Sequence, residues 1–317
     1  MPLTTDKNLA ELTDQVIAAF DRETGGVHPG FRPAHAKGIL LTGTFTPSSD
    51  AASLSSAPHL QRTPTPVTVR FSDFAGIPTV ADNDPQVASP RGCAIRFNLA
   101  QHVHTDIVAH SVDAFPSRTA GEFLEFLNAL VATDPAGPHP NAIEQYLGAH
   151  PVALAFVQAP KPFPTSFARE SYFAVSAFKF TNAQGASRYG RYRVLPVAGN
   201  EYLDDAHAAA QTPNFLFDEI KARVAKEPFK HRVVVQLAED GDVVDDSTVR
   251  WPETRSLLTL GELSLTAIAA DDAAAQQRII FDPIPRVAGI EASADPLFEQ
   301  RANVYLVSGR RRRKAGA

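Results

Sequence analysis

An arginine and a tyrosine near the carboxyl end have the spacing of a metal ligand and its charged partner. Asp295 followed by Pro296 predicts a helix start, because the carboxylate caps free N–H groups and proline fits the first turn. Arg301 and Tyr305 are four residues apart in this helix and share a face. A neighbouring guanidinium stabilises a phenolate, which is a hard anionic ligand for ferric iron. The alternative is an ordinary aromatic side chain of the core or of an interface.

Two strands near the amino end carry further polar side chains. His35 lies four residues before the first residue of an apolar run, 39–45, that predicts a strand. A lone histidine at a strand entrance is usually a turn residue or a hydrogen-bonded one. Residues 66–72 alternate strictly, so that Arg70 and Ser72 share the polar face of a second predicted strand. On a surface strand, such a face simply meets water.

These segments resemble haem catalases. The proximal segment of that family resembles residues 283–305, Pro-Ile-Pro-Arg-Val-Ala-Gly-Ile-Glu-Ala-Ser-Ala-Asp-Pro-Leu-Phe-Glu-Gln-Arg-Ala-Asn-Val-Tyr. Its distal-histidine motif resembles residues 32–38, Arg-Pro-Ala-His-Ala-Lys-Gly. In catalases the tyrosine of this helix ligates the haem iron. The resemblance extends in motif order from about residue 29 to the carboxyl end.

The resemblance implies a role for each matching residue. It makes Tyr305 the axial ligand of the iron of haem b, with Arg301 as its charged neighbour, and His35 the distal acid and base. The other cofactor contacts that it implies are Arg32 and Arg70 at the propionates, Ser72 beside the distal histidine, Phe123 against the porphyrin, and Arg312 in a structural or propionate-side role.

One position departs from the catalase pattern. Residues 106–113 match a catalase segment, Asp-Leu-Val-Gly-Asn-Asn-Thr-Pro, in which the first asparagine holds peroxide together with the distal histidine. His110 stands at that position here. The missing amide favours peroxidase chemistry over rapid disproportionation of peroxide. His110 is therefore a candidate distal neighbour of His35, and whether it replaces the amide is open.

The fold implied by the resemblance is α+β, an antiparallel β-barrel surrounded by helices. We expect residues 1–317 to form a single haem-binding domain with an N-terminal helical segment at 1–28, in which 8–22 have an amphipathic pattern. A helix that opens at Phe115 carries Phe123, and 141–158 predict another helix. The last segment, 306–317, is predicted to be a basic tail.

The sequence does not match the long N-terminal arm or the C-terminal helical region of full-length catalases. These regions interlock the subunits of the larger enzymes. The resemblance therefore predicts a homodimer or another small homo-oligomer.

Composition restricts the possible partners. The chain has 317 residues, 44% of them hydrophobic and 21% charged, as is common in globular proteins. Its net charge of −5 argues against nucleic acid as a partner, and it has no apolar run near the roughly 20 residues of a membrane span. No signal-peptide pattern is evident, which predicts a cytoplasmic location. The single cysteine, Cys93, excludes an internal disulfide.

The expected function is reduction of hydrogen peroxide or organic hydroperoxides by a haem peroxidase that uses small organic electron donors and has weak or no catalase activity. Two alternatives stay open. The same fold rearranges fatty-acid hydroperoxides in catalase-like allene oxide synthases. A barrel of this kind could also bind haem or an apolar ligand without catalysis, since fold alone does not determine function.

Overall fold

A computed structural model, which describes residues 3–315, contains an antiparallel β-barrel surrounded by helices. The strands are β1 (Gly38–Pro47), β2 (Thr65–Ser72), β3 (Gly92–Ala100), β4 (Val103–His110), β5 (Phe163–Pro164), β6 (Tyr172–Phe173), β7 (Phe178–Thr181), β8 (Ser187–Pro196), β9 (Tyr202–Leu203), β10 (Phe229–Leu237), β11 (Leu257–Ile268) and β12 (Ile290–Ala292).

Eight of these strands close the barrel. Their order around it is β10, β11, β1, β2, β3, β4, β6 and β8, and β8 pairs back onto β10. Strand β7 pairs with residues 187–190, the first part of β8, and its outer edge pairs with β12. Strands β5 and β9 form a separate pair. The predicted antiparallel barrel with surrounding helices is confirmed.

The helices are α1 (Lys7–Glu23), α2 (Ala51–Leu54), α3 (Ala120–Val131), α4 (Ala142–Ala149), α5 (Pro151–Gln158), α6 (Asp205–Ala209), α7 (Phe215–Lys226), α8 (Asp272–Arg278) and α9 (Leu297–Ala315), with short 3₁₀ helices at Pro58–Leu60 and Phe167–Arg169. Helix α1 packs against both α3 and α9. Among residues 3–315, no helix has both the length and the apolar character that crossing a membrane requires.

Strand β2 shows why the barrel interior is solid. Val67, Val69 and Phe71 point into the barrel and are buried in its main hydrophobic core, as the alternation predicts. On the opposite face of β2, Arg70 and Ser72 near the carboxyl end of the strand are also buried. This end of the polar face is therefore not exposed to solvent. The interior is filled by side chains, so a large ligand must bind outside the barrel, on the face that carries Arg70 and Ser72.

Helix α9 begins as predicted but is longer than predicted. The Asp295 carboxylate accepts a hydrogen bond of 2.9 Å from the Leu297 N–H and so caps the helix. Residues 306–315, which the sequence predicts as a basic tail, continue the helix, and Arg312 is only 3% exposed. Arginine and lysine favour helix, and packing of this stretch onto α1 and α8 holds the last turns. Residues 316–317 lie outside the described residues.

Three other boundaries differ from the sequence-based predictions. The amphipathic helix predicted at 8–22 is confirmed as Lys7–Glu23, so only the wider segment bounds of 1–28 differ, and residues 1–2 are outside the described part. The helix predicted to open at Phe115 begins at Ala120, where the Thr119 hydroxyl oxygen accepts a 3.2 Å hydrogen bond from the Glu122 N–H. The helix predicted over 141–158 is two helices, because Pro151 has no N–H to continue the first.

Candidate functional site

A cavity of about 590 Å³ lies between the outside of the barrel and helices α1, α3 and α9. Its volume is in the range of small-molecule and cofactor sites. Much of its wall is apolar and comes from residues such as Phe126, Leu127 and Val304. All nine predicted site residues line it: Arg32, His35, Arg70, Ser72, His110, Phe123, Arg301, Tyr305 and Arg312.

His35 is held in one orientation by its neighbours. Its backbone N–H donates to the Phe74 carbonyl oxygen at 2.6 Å, and its Nδ1 is 3.1 Å from the Ser72 hydroxyl oxygen. The Phe74 ring packs edge-on against the imidazole, with 5.4 Å between ring centres. The backbone of His35 has φ of +57°, a conformation that costs a non-glycine residue of order 1–3 kcal/mol. Because Nδ1 is engaged by Ser72, Nε2 is the ring nitrogen available to a ligand.

Both histidines of the cavity are uncharged at neutral pH. Burial, and then the positive charge of Arg70, lowers the pKa of His35 to about 3. Burial, and then Arg301, lowers the pKa of His110 to about 3. The His110 Nδ1 accepts a long hydrogen bond of 3.4 Å from the Val112 N–H. A neutral imidazole can accept a proton, so His35 is ready to act as a base.

The low pKa of His35 predicts a flat pH profile. The neutral form is lost only as the pH falls through about 3, so the rate constant for reaction with a hydroperoxide should stay within about twofold between pH 5 and pH 8. A histidine with the ordinary pKa of about 6.5 would be about 97% protonated at pH 5, so the rate constant would be roughly thirty-fold lower at pH 5 than at pH 8. Stopped-flow kinetics across this range distinguishes the two, and a loss that follows a pKa near 6.5 would contradict the assignment.

Gly92 at the start of β3 leaves the space in which His35 lies. A Cβ at this position would be 2.5 Å from the Ser72 hydroxyl oxygen and 2.8 Å from the His35 Nδ1. Both distances are too short, so any side chain at position 92 must displace the Ser72 hydroxyl, the imidazole or both. The sequence alone does not reveal this close approach, because His35 and Gly92 are far apart in the chain.

Gly92→Ala should therefore impair catalysis more than folding. We expect the rate constant for a hydroperoxide to fall between about tenfold and a hundredfold, since small misplacements of a reacting group have effects of this size. Gly148→Ala is the matched control, because its added Cβ meets nothing within 4 Å. Rate constants and melting temperatures of both variants test this, and a fully active Gly92→Ala protein would show that His35 need not keep its position.

Arg70 and Arg32 lie at one end of the cavity, and neither pairs with a carboxylate of the described residues. Arg70 donates to the His35 carbonyl oxygen at 2.9 Å and to the Gln276 amide oxygen at 3.0 Å. Arg32 donates to the carbonyl oxygens of Gln276 at 3.3 Å and Ile279 at 3.2 Å. Gly38 leaves room for this arrangement, because a Cβ there would be 2.2 Å from the Arg70 guanidinium.

Arg312 completes this group of buried cations. It donates to the Ser308 hydroxyl oxygen and to the Ile279 carbonyl oxygen, both at 2.8 Å. Its buried Nε has no hydrogen-bond partner in the part of the chain that the structure describes. Burial, and then the Arg312 charge, lowers the pKa of Arg70 to about 9. Burial, and then Arg70 and Arg312, lowers the pKa of Arg32. Buried cations that repel each other form a strong site for a bound anion.

Arg301 and Tyr305 adopt the arrangement that their spacing predicts. The Nε and Nη2 atoms of Arg301 are each 3.4 Å from the Tyr305 hydroxyl oxygen. The guanidinium carbon is 5.8 Å from the centre of the tyrosine ring. Both side chains line the same cavity as His35. This arrangement places an oxygen that can coordinate a metal ion beside a positive charge.

The residues of the cavity fit a haem group. A porphyrin needs apolar walls for its ring, and phenylalanines that include Phe123 supply them. It needs cations for two propionates, and Arg32, Arg70 and Arg312 lack any carboxylate partner among the ion pairs of residues 3–315. The unpartnered Arg312 Nε is the observation that most directly indicates an anionic ligand.

Helix α8 contributes to the site in a way that the sequence did not reveal. Gln276 binds Arg70 through its amide oxygen and donates to the Gly38 carbonyl oxygen at 2.8 Å. The carbonyl oxygen of Ile279, directly after the helix, accepts from both Arg32 and Arg312. Arg70 and Gln276 are 206 positions apart, so no local pattern could have paired them.

Comparison with known proteins identifies the family. A family model described as Catalase matches residues 8–316. The chain belongs to the catalase family. Over 298 residues it is 35% identical to a catalase-related peroxidase of Mycolicibacterium paratuberculosis, with 93% of each chain covered. It is 31% identical over 299 residues to a catalase-related peroxidase of Synechococcus elongatus, covering 93% of this chain and 87% of the relative.

The catalase fold is also found among solved structures. A fungal catalase superposes with a TM-score of 0.78 at 23% identity, and the match covers 93% of this chain and 61% of the fungal one. As a member of the catalase family, the chain is an oxidoreductase that acts on peroxide, and haem is the cofactor that the family implies. The predicted family, fold and enzyme class are therefore confirmed.

Proposed function

We propose that this protein is a haem b peroxidase that reduces hydrogen peroxide or organic hydroperoxides with small organic electron donors and has little catalase activity. One observation carries the proposal: a tyrosine with a guanidinium at its oxygen, a neutral imidazole and three arginines all line one apolar cavity. Within residues 3–315 these three arginines pair with no carboxylate. Each of these features matches a different part of a haem group or of its peroxide substrate.

The proximal side and the edge of the site would hold the cofactor. Tyr305 would bind the iron through its phenolate oxygen, and Arg301 would balance part of that negative charge. Arg32, Arg70 and Arg312 would bind the propionates. When bound, haem supplies an iron centre that exchanges electrons with peroxide.

His35 would move the proton of the substrate. Its neutral Nε2 accepts the proton from one oxygen of the hydroperoxide and delivers it to the other oxygen as the O–O bond breaks. Ser72 keeps the ring in place through Nδ1. Because one residue takes and returns the same proton, no external acid is needed for this step.

The proposed bias against disproportionation rests on position 110. His110 lines the cavity where the catalase pattern has an amide. Its ring is neutral and its Nδ1 is turned toward the Val112 N–H. An imidazole in place of the shorter amide changes both the shape and the donor position near a second peroxide molecule, which supports donor oxidation over oxygen release.

The test compares products with the haem-loaded protein. With a fatty-acid hydroperoxide and a reducing dye, we expect the corresponding alcohol and two one-electron oxidations of dye for each alcohol formed. With hydrogen peroxide and no dye, little oxygen should be released. An epoxide formed without dye consumption would instead indicate the rearrangement, and vigorous oxygen release would contradict the proposed bias. The pyridine haemochrome spectrum identifies the haem type.

A further inference from the structure

A second cavity, of about 340 Å³, lies behind the arginine end of the large one. It is formed by the end of α1, the following loop and the last turns of α9, and its lining includes Asp21, Val27, Phe31, Arg311 and Lys314. The two cavities share a wall made by Arg32, Pro33, Ser308 and Arg312. A molecule in the small cavity would therefore lie next to the large one without entering it.

The small cavity is strongly basic. Arg32, Arg311, Arg312 and Lys314 line it, and Asp21 is its only carboxylate among the described lining residues. Asp21 is already paired with Arg311 at 2.8 Å. The chain as a whole has a net charge of −5, so this positive charge is local and opposite in sign to the rest of the protein. A concave basic site of this kind concentrates small anions.

The cavity also has an apolar rim. Phe31 is 48% exposed and Val27 is 58% exposed, and both line the opening. Lys314 also lines the cavity and has no carboxylate partner among the ion pairs of residues 3–315, whereas Arg311 is paired with Asp21. A ligand that satisfies both features has a negatively charged group and an apolar body. The volume limits it to a small molecule.

We infer that this cavity binds the organic electron donor, and that the donor is a small aromatic molecule that carries a carboxylate. The inference rests on the proposed peroxidase function and names its donor class. Arg32 and Arg312 also face the large cavity, where they would bind the propionates. The carboxylate of the donor therefore binds Arg311 and Lys314. The aromatic body packs against Phe31.

The electrons and protons balance for a phenolic donor. Each phenol loses one electron and one proton and becomes a phenoxyl radical. Two such losses supply the two electrons and two protons that convert one hydroperoxide into an alcohol and water. Because donor and hydroperoxide occupy different cavities, the donor should not compete with the hydroperoxide.

The test uses two donors that differ only in charge. Ferulate and its methyl ester carry the same phenol, but only ferulate has a carboxylate. With the haem-loaded protein and cumene hydroperoxide, we expect a KM for ferulate about fivefold or more below that of the ester. Lys314→Gln should raise the ferulate KM by about two- to fivefold, the usual effect of one partly exposed ion pair, and should leave the ester KM and kcat unchanged.

Two further variants make the test specific. Arg310→Gln removes a positive charge from the exposed side of the same helix, away from the cavity, and should leave both KM values unchanged. Asp21→Asn removes the negative charge of the cavity and should lower the ferulate KM. Calorimetric titration of ferulate without peroxide should show the same order of affinities, and about 0.5 M KCl should weaken ferulate binding alone.

The outcomes separate this inference from the function on which it rests. Equal KM values for ferulate and the ester, or an equal effect of Arg310→Gln and Lys314→Gln, would overturn the donor site while peroxidase activity persists. Competition between ferulate and the hydroperoxide would overturn the separate location. Failure to oxidise either donor would overturn the proposed function, and the donor site with it.

Discussion

Tyr305→Phe protein is expected to lose stable haem binding. The substitution removes only the phenol oxygen that would bind the iron, and leaves the ring to pack in the cavity wall. Removing a residue that only orients a metal ligand lowers metal affinity by about ten- to a hundredfold. Removing the ligand itself should have a larger effect, so we expect haem affinity to fall by at least about a hundredfold. The measurement is the ratio of Soret to protein absorbance after purification and after haem titration.

The control is another tyrosine. Tyr189→Phe removes a phenol oxygen on β8, outside the residues that line the cavity, and should leave haem content unchanged. Circular dichroism should show that both variants are folded. If Tyr305→Phe retained the haem content and spectrum of the original protein, the iron ligand would have to be another residue.

The second large effect is expected for His35→Ala. This variant should keep its haem, because no part of the imidazole is proposed to bind the iron, but should react with hydroperoxides about 10² to 10⁴ times more slowly. The loss follows from removal of the group that carries the proton between the two peroxide oxygens. The second-order rate constant, measured by stopped flow together with haem content, checks both parts.

His207→Ala is a suitable control, because that histidine is exposed on α6 and outside the cavity. Ser72→Ala should give an intermediate loss, since it removes the hydrogen bond at Nδ1 but keeps the imidazole. An unaltered rate in His35→Ala would assign the proton transfer to another group, and His110 would be the first to examine.

Local spacing explains which parts of the site were predictable. Arg301 and Tyr305 had to share a face because a helix repeats every 3.6 residues, and the capping carboxylate of Asp295 marked where that helix begins. Alternation placed Arg70 and Ser72 on one face of β2 in the same way. The barrel and the distal motif came from the resemblance to a known family and from no property of the residues alone.

The parts that could not be predicted depend on contacts between distant segments. The pairing of Arg70 with Gln276 exists only once α8 lies beside β1. His35 has a positive φ and donates its backbone N–H to the Phe74 carbonyl oxygen, a contact with a distant segment that local spacing does not predict. The basic stretch after Tyr305 looked like a solvated tail, because only the folded chain supplies the Ile279 carbonyl that receives Arg312.

The length of α9 has a consequence for how the protein can change. Tyr305 and Arg312 are seven residues apart in one uninterrupted helix, which corresponds to about 10 Å of rise and almost two full turns. The helix thus fixes both the distance along its axis and the angle around it between the proposed iron ligand Tyr305 and the anion-binding Arg312. Inserting one residue between them would rotate Arg312 by about 100° out of phase, so this stretch should tolerate substitutions far better than changes of length.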